Sequence, residues 1–303
     1  VMAVGLIACG TDKSDNESTK EEKTSVTITS LDASKNEIEL EVPYNPKRIA
    51  ILDLASLDII DELGVGDRVV GMASTSIDYL EKYSNDASIK NLGTIKEADL
   101  EAVMECEPDI IFIGGRLSKS YDALSEIAPV VYLATDTNEG LVNSVSKNAK
   151  TIASIFGMED KVDSLMSDFG ARIDAIKKIS SGKTALVGMT TSGSFNLLGN
   201  DGRCSLIGVE AGFNNLTAAG STSTHGNESS FETVVQQNPD YIFVMDRDSA
   251  ISTAGAKTAK EIVENELVKT TDAYKNNHII YLEHSNVWYT AEGGIQALDI
   301  MLT

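Results

Sequence analysis

His225 lies in "GSTSTHGNESS" (220–230), a run of small polar residues with nothing apolar beside it. It is one of three histidines; the others are His278 and His284. A core imidazole has apolar neighbours, and this loop supplies none, so His225 is a candidate for a role outside the core. Three of the six arginines share a context. Arg116 follows "IIFIGG", Arg247 follows "YIFVMD" and Arg203 follows "FNLLGNDG", so each stands just past an apolar stretch. A guanidinium makes forked hydrogen bonds and stacks on rings, which suits a delocalised anion. Tyr289, in "VWYTAEGG" (287–294), follows the apolar run "HIIYLE" (278–283) and precedes a Gly-Gly that opens a helical pattern. Phenolate and imidazole together suit ferric iron.

An internal repeat says what positions these groups. Residues 97–116, "EADLEAVMECEPDIIFIGGR", align without a gap on residues 228–247, "ESSFETVVQQNPDYIFVMDR". Identical pairs are Glu97/Glu228, Glu101/Glu232, Val103/Val234, Pro108/Pro239, Asp109/Asp240, Ile111/Ile242, Phe112/Phe243 and Arg116/Arg247. Each copy reads as a helix, a Pro-Asp stop and a strand apolar on both faces, as in a parallel sheet. Ligands of open α/β sheets sit at the carboxyl ends of strands. Two lobes, each with an Arg at that edge, predict a cleft with one Arg from either side. The segment 139–180 between the copies is helix-patterned almost throughout, broken at Gly157, and predicts one long, stiff connecting helix.

Composition bounds the function. The chain has 303 residues and a net charge of −21, which excludes nucleic acid as a partner. That field is screened beyond about 8 Å in physiological salt, so converging arginines can still hold an anion. There is no apolar run of transmembrane length. "VMAVGLIACG" (1–10) reads as the end of a signal peptide (1–8), and "LIAC" resembles a bacterial lipobox with Cys9 as the lipidated residue. The polar stretch to residue 25 reads as a disordered tether. The expected lobes are 26–157 and 181–303, with the linker helix at 158–180. "VTITS" and "EIELEVP" alternate like a hairpin. "GVGDRVVG" (64–71) lacks the spacing and the preceding strand of a dinucleotide loop, and Gly64 reads as a helix C-cap. Cys106 and Cys204 show no metal or redox spacing. The chain stops at "LDIMLT", in the start of a helical pattern, so a longer C-terminus is expected.

From about residue 46 to 303 the chain resembles the class III periplasmic-type substrate-binding proteins of iron–siderophore ABC transporters. Within them it is most similar to the petrobactin- and enterochelin-binding lipoproteins. The matching stretches are "NPKRIAILDLASLDIIDELGV", "EPDIIFIGGR", "LGNDGR", "STHGNESSFE", "NPDYIFVMDR" and "NVWYTAEGG". The resemblance implies an α/β fold of two Rossmann-like lobes joined by a single long helix. It implies that Arg116, Arg203 and Arg247 surround an anionic catecholate, with Trp288 beside them, and that His225 and Tyr289 complete the coordination of iron. It implies that Glu101 and Glu232, one per lobe, dock on the ABC permease. The protein would be an extracytoplasmic monomer held to the membrane through Cys9. It would carry an Fe(III)-siderophore as transported ligand, have no intrinsic cofactor, and not be an enzyme. A haem-binding lipoprotein of the same fold is the alternative, with Tyr289 as an axial ligand. A hydrolase is disfavoured because no G-x-S-x-G occurs and no acid is placed to orient His225. A zinc carrier would need several converging histidines, which His278 and His284 do not supply.

Overall fold

Alternating side chains build an antiparallel hairpin from β1 (Ser25–Leu31) and β2 (Glu37–Pro43), with Ile28 and Val42 turned inward and buried. The computed structural model describes residues 22–218 and 222–303. Because β1 begins at Ser25, the strand takes the last residue of the expected tether. Cys9, the signal remnant and the tether up to residue 21 lie outside the described residues.

The continuous apolar runs form two sheets. β3 (Ile49–Leu52), β4 (Val69–Met72), β5 (Lys90–Asn91), β6 (Ile110–Ile113) and β7 (Val130–Tyr132) pair in parallel in the order β5-β4-β3-β6-β7. In the second lobe the strands are β8 (Thr184–Thr191), β9 (Ser194–Leu197), β10 (Asn214–Asn215), β11 (Asn227–Glu228), β12 (Tyr241–Asp246) and β13 (Ile279–Tyr281). Their order is β11-β9-β8-β12-β13, with β10 against β8. β9 pairs antiparallel with β8 and with β11; the other pairs are parallel. Every residue of β3, β6 and β7 is buried, the pattern of strands covered on both faces.

The repeat is structural. Helices Leu100–Glu105 and Phe231–Gln237 are capped at equivalent positions, by Asp99 on Ala102 N (3.0 Å) and Ser230 on Thr233 N (3.4 Å). The Asp after each Pro ties the repeat strand to its neighbour. Asp109 Oδ2 accepts from Lys47 N (2.8 Å) and Arg48 N (2.9 Å) ahead of β3. Asp240 Oδ2 accepts from Thr184 N (2.8 Å) at the start of β8. Two identical carboxylates thus perform one task, once per lobe.

The connector differs from the single long helix expected. Segment 139–180 is three helices: Leu141–Ile155, Asp160–Leu165 and Phe169–Ser180. Gly157, at φ +66°, ends the first, and Met158 N turns back to Ala153 O (2.9 Å). That helix buries Leu141, Val145, Ala149 and Ile152 at a spacing of one turn, so it packs as an ordinary layer of the first lobe. Phe169–Ser180 alone leads into β8. A second crossing was not anticipated. The helix Ile295–Met301 returns to the first lobe and lies on the helix Leu54–Glu62. There Asp58, fully buried, accepts from Gln296 N (2.9 Å), Ala297 N (3.0 Å) and Tyr79 Oη (2.9 Å). Gly294 is required at this joint, since a Cβ there would lie 2.1 Å from Asp58 Oδ2. Gly64, at φ +78°, follows the Leu54–Glu62 helix as a C-cap.

Candidate ligand-binding site in the interlobe cleft

Strand ends deliver the cationic groups to one place. Arg116 follows β6 in the first lobe, and Arg247 follows its repeat partner β12 in the second. Arg203 sits in the loop after β9, and Tyr289 on the short helix Ser285–Thr290 after β13. Tyr289 is the hub. Arg247 Nε donates to its hydroxyl (3.0 Å), and Arg203 Nε donates to its backbone carbonyl (3.0 Å). The Arg203 guanidinium also lies over the ring at 4.1 Å, and Arg247 at 5.6 Å. Arg203 Nη1 donates to Thr224 O (2.9 Å) and Arg247 Nη1 to Thr191 Oγ1 (3.1 Å), so two of the three arginines are held before any ligand arrives.

This cluster sets the protonation states. Burial pushes the Tyr289 phenol up. Hydrogen bonds from Arg247 and Arg116 and the charges of Arg203 and Arg247 more than offset it, leaving the phenol below its usual range. His225 is pushed down by burial, then by the positive field of Arg247, Arg116, Arg203 and Lys96. A neutral imidazole and an easily ionised phenol are the forms that bind metal. His225 is held by its backbone, with Asn196 Nδ2 donating to its carbonyl at 2.9 Å. Its Nδ1 is buried and has no hydrogen-bond partner among the described residues.

The cleft holds two cavities. The inner one, of about 280 Å3, is bounded by Asp53, Thr135, Asn148, Arg203, Tyr289 and Glu292. The outer one, of about 570 Å3, is bounded by Lys35, Arg116, Arg203, Thr224 and Glu292 among others. Glu292 faces both. Burial raises its pKa to about 7, against the pull of a hydrogen bond from Cys204 N (3.2 Å) and of Arg203; Glu210 adds to the rise. Sequence reasoning missed Glu292, although the acid between Tyr289 and Gly-Gly in "YTAEGG" was the available signal. It also missed Asp53, which caps the Leu54–Glu62 helix through Ser56 N (3.0 Å) and lines the inner cavity.

The other expected site residues fall in two groups. Trp288 does not line either cleft cavity. It is 4% exposed and bounds a separate apolar cavity with Phe213, Phe243 and Met301. Successive helical residues point about 100° apart, so a helix that turns Tyr289 to the cleft turns Trp288 away. Glu101 and Glu232 are exposed, each the second residue of its helix, and neither lines a cleft cavity. Each helix runs opposite to the strand it feeds. Its first turn therefore lies at the carboxyl edge of the sheet, one glutamate on either side of the cleft.

Comparison with known proteins agrees with this architecture. Residues 49–285 match the family described as periplasmic binding protein. The petrobactin-binding protein YclQ of Bacillus subtilis (strain 168) is 36% identical over 312 residues, spanning 100% of this chain and 94% of YclQ. The crystal structure of YclQ superposes with a TM-score of 0.83, covering 92% of this chain and 96% of that one. The periplasmic catecholate-siderophore binding protein VctP from Vibrio cholerae superposes with a TM-score of 0.82 at 31% identity, covering 91% of this chain and 98% of VctP. The two-lobed α/β fold is that of the class III substrate-binding proteins, and the chain belongs to the periplasmic binding protein family.

Proposed function

We propose that this protein binds a ferric catecholate siderophore outside the cytoplasm and delivers it to an ABC permease for iron uptake. The observation that carries the reading is Tyr289 held among Arg116, Arg203 and Arg247, with the buried, unpaired Nδ1 of His225 in the same positive field. The arginines compensate the charge of the iron-bound phenolates and offer faces for their rings. Tyr289 and His225 are the protein's donors for iron positions that the ligand leaves open. YclQ and VctP, named for petrobactin and catecholate siderophores, support the same ligand class here. Glu101 and Glu232 are the proposed permease contacts, and a lipid on Cys9 the proposed anchor of a monomer at the membrane face. Members of this family are solute-binding proteins, and the site is read as a binding site without catalysis.

The test is a visible-wavelength titration of the purified protein with ferric catecholates and with haem. Saturable binding that retains the broad catecholate-to-iron band supports the reading. A sharp Soret band from tightly bound haem, with no affinity for ferric catecholates, would replace it by the haem-carrier alternative.

A further inference from the structure

The outer cavity has one wall that belongs to neither sheet. The tip of the β1–β2 hairpin reaches its edge and places Lys35 there. The hairpin is fixed to the first lobe, with Ser30 buried and its Oγ accepting from Tyr132 N (2.9 Å) in β7. The tip is rigid as well. Asp32 Oδ1 accepts from Ser34 N (2.8 Å) and Asn36 N (2.9 Å), and Lys35 N closes the turn on Asp32 O (3.0 Å). Lys35 occupies the left-handed region at φ +65°, where glycine or asparagine fits without strain. A lysine at a backbone position that disfavours it is an observation to be explained.

The charges around the outer cavity supply the explanation. Arg203 is committed to Tyr289 and Thr224. Arg116 is drawn to the Tyr289 phenol. Three carboxylates also line this cavity. Asp201 accepts from Thr222 N (2.7 Å), Asp136 from Asn138 N (2.8 Å) and Glu292 from Cys204 N (3.2 Å). Lys35 has no ion-pair partner among the described residues, so its ammonium is a further cation at this wall available to a ligand.

We infer that the N-terminal hairpin is part of the binding site, with Lys35 as a fourth cation that selects ligands carrying an anionic group, such as a carboxylate, away from the iron. This rests on the proposed ferric-catecholate function and adds the ligand's periphery to it. Lys35 is on the rim and exposed, so the contact is screened by salt.

The experiment compares two probes, the ferric complex of catechol and that of 3,4-dihydroxybenzoate, which carries an extra carboxylate on each ring. Wild type, Lys35→Gly and Lys35→Gln are titrated at low and at high salt, and their melting temperatures measured. Lys35→Gly removes the charge while relieving the left-handed strain, so its melting temperature should hold or rise. The expected result is a loss for the carboxylated chelate about three- to tenfold larger than for the plain one, in both variants, shrinking in high salt. Equal losses for both chelates, or no loss in a folded variant, would overturn the inference while leaving the catecholate function standing. Failure of wild type to bind either chelate would instead remove that function, and this inference with it.

Discussion

Arg247 Nε donates to the Tyr289 hydroxyl at 3.0 Å, joining the residue after the repeat strand β12 to a helix outside the repeat. Burial alone would resist ionisation of this phenol; the contact, with a hydrogen bond from Arg116 and the charges of Arg203 and Arg247, brings its pKa below the usual value. In the proposed function Arg247 therefore has two tasks, one on the ligand's charge and one on the readiness of Tyr289 to bind iron.

Denticity should separate these two tasks. Tyr289→Phe or His225→Ala is expected to weaken a tetradentate ferric catecholate at least tenfold while changing a hexadentate one little, because the latter leaves no open iron position. The visible band shift seen on binding the tetradentate chelate should vanish in the double variant. Equal losses for both chelates would make His225 and Tyr289 pocket walls and not metal donors.

Removing a guanidinium acts whatever the denticity. Arg247→Ala should cost about 1.5–3 kcal/mol of binding, roughly ten- to a hundredfold in affinity, for both chelate types. Loss of its hydrogen bond and charge should also return the Tyr289 phenol toward higher pKa, measurable as a shift in the ultraviolet titration of tyrosine. An unmoved titration would break the link drawn between the two residues.

Glu292 predicts a pH dependence. Its folded pKa, about 7, is above the ordinary 4.5, so the folded protein holds the proton more tightly than the unfolded chain does. The resulting stabilisation is complete below about 4.5 and lost as pH rises through 7. Glu292→Gln should therefore melt higher than wild type at pH 8, with the difference closing at pH 5. An anionic chelate beside this group favours its protonated form. Affinity for an iron-saturated hexadentate catecholate should then fall from pH 6 to pH 8 in wild type and stay flat in Glu292→Gln; a parallel fall in both would assign the effect to another group.

Asp58 holds the C-terminal helix to the first lobe. Asp58→Ala leaves Gln296 N, Ala297 N and Tyr79 Oη without their acceptor, and should lower stability by about 2–3 kcal/mol. Chemical denaturation measures it directly, and a loss under about 0.5 kcal/mol would mean that water replaces the carboxylate.

Glu101→Lys or Glu232→Lys should leave chelate affinity unchanged and reduce uptake by cells. Neither carboxylate lines the cleft cavities, so a binding defect in the isolated protein would contradict their placement.

Much of this protein follows from local pattern alone. Short apolar runs such as "IIFI" have the pattern of doubly covered strands, and the Pro-Asp stops mark where each begins. The repeat placed Arg116 and Arg247 at equivalent strand ends because the same backbone path was written twice. Those features depend on residues within a turn or two of each other. The linker helix expected over 158–180 is two helices because helical spacing continues past Leu165, while the chain turns at 166–168 before Phe169–Ser180 begins. Trp288 and Tyr289 are adjacent in sequence, and the direction each faces was decided by the pose of their helix on β12. Glu292 and Asp58 gained partners as distant as Cys204 and Ala297, and Lys35 came to line one cavity with Arg203. No spacing rule encodes such meetings, because they arise only when two sheets, a hairpin and a returning helix close around one cleft.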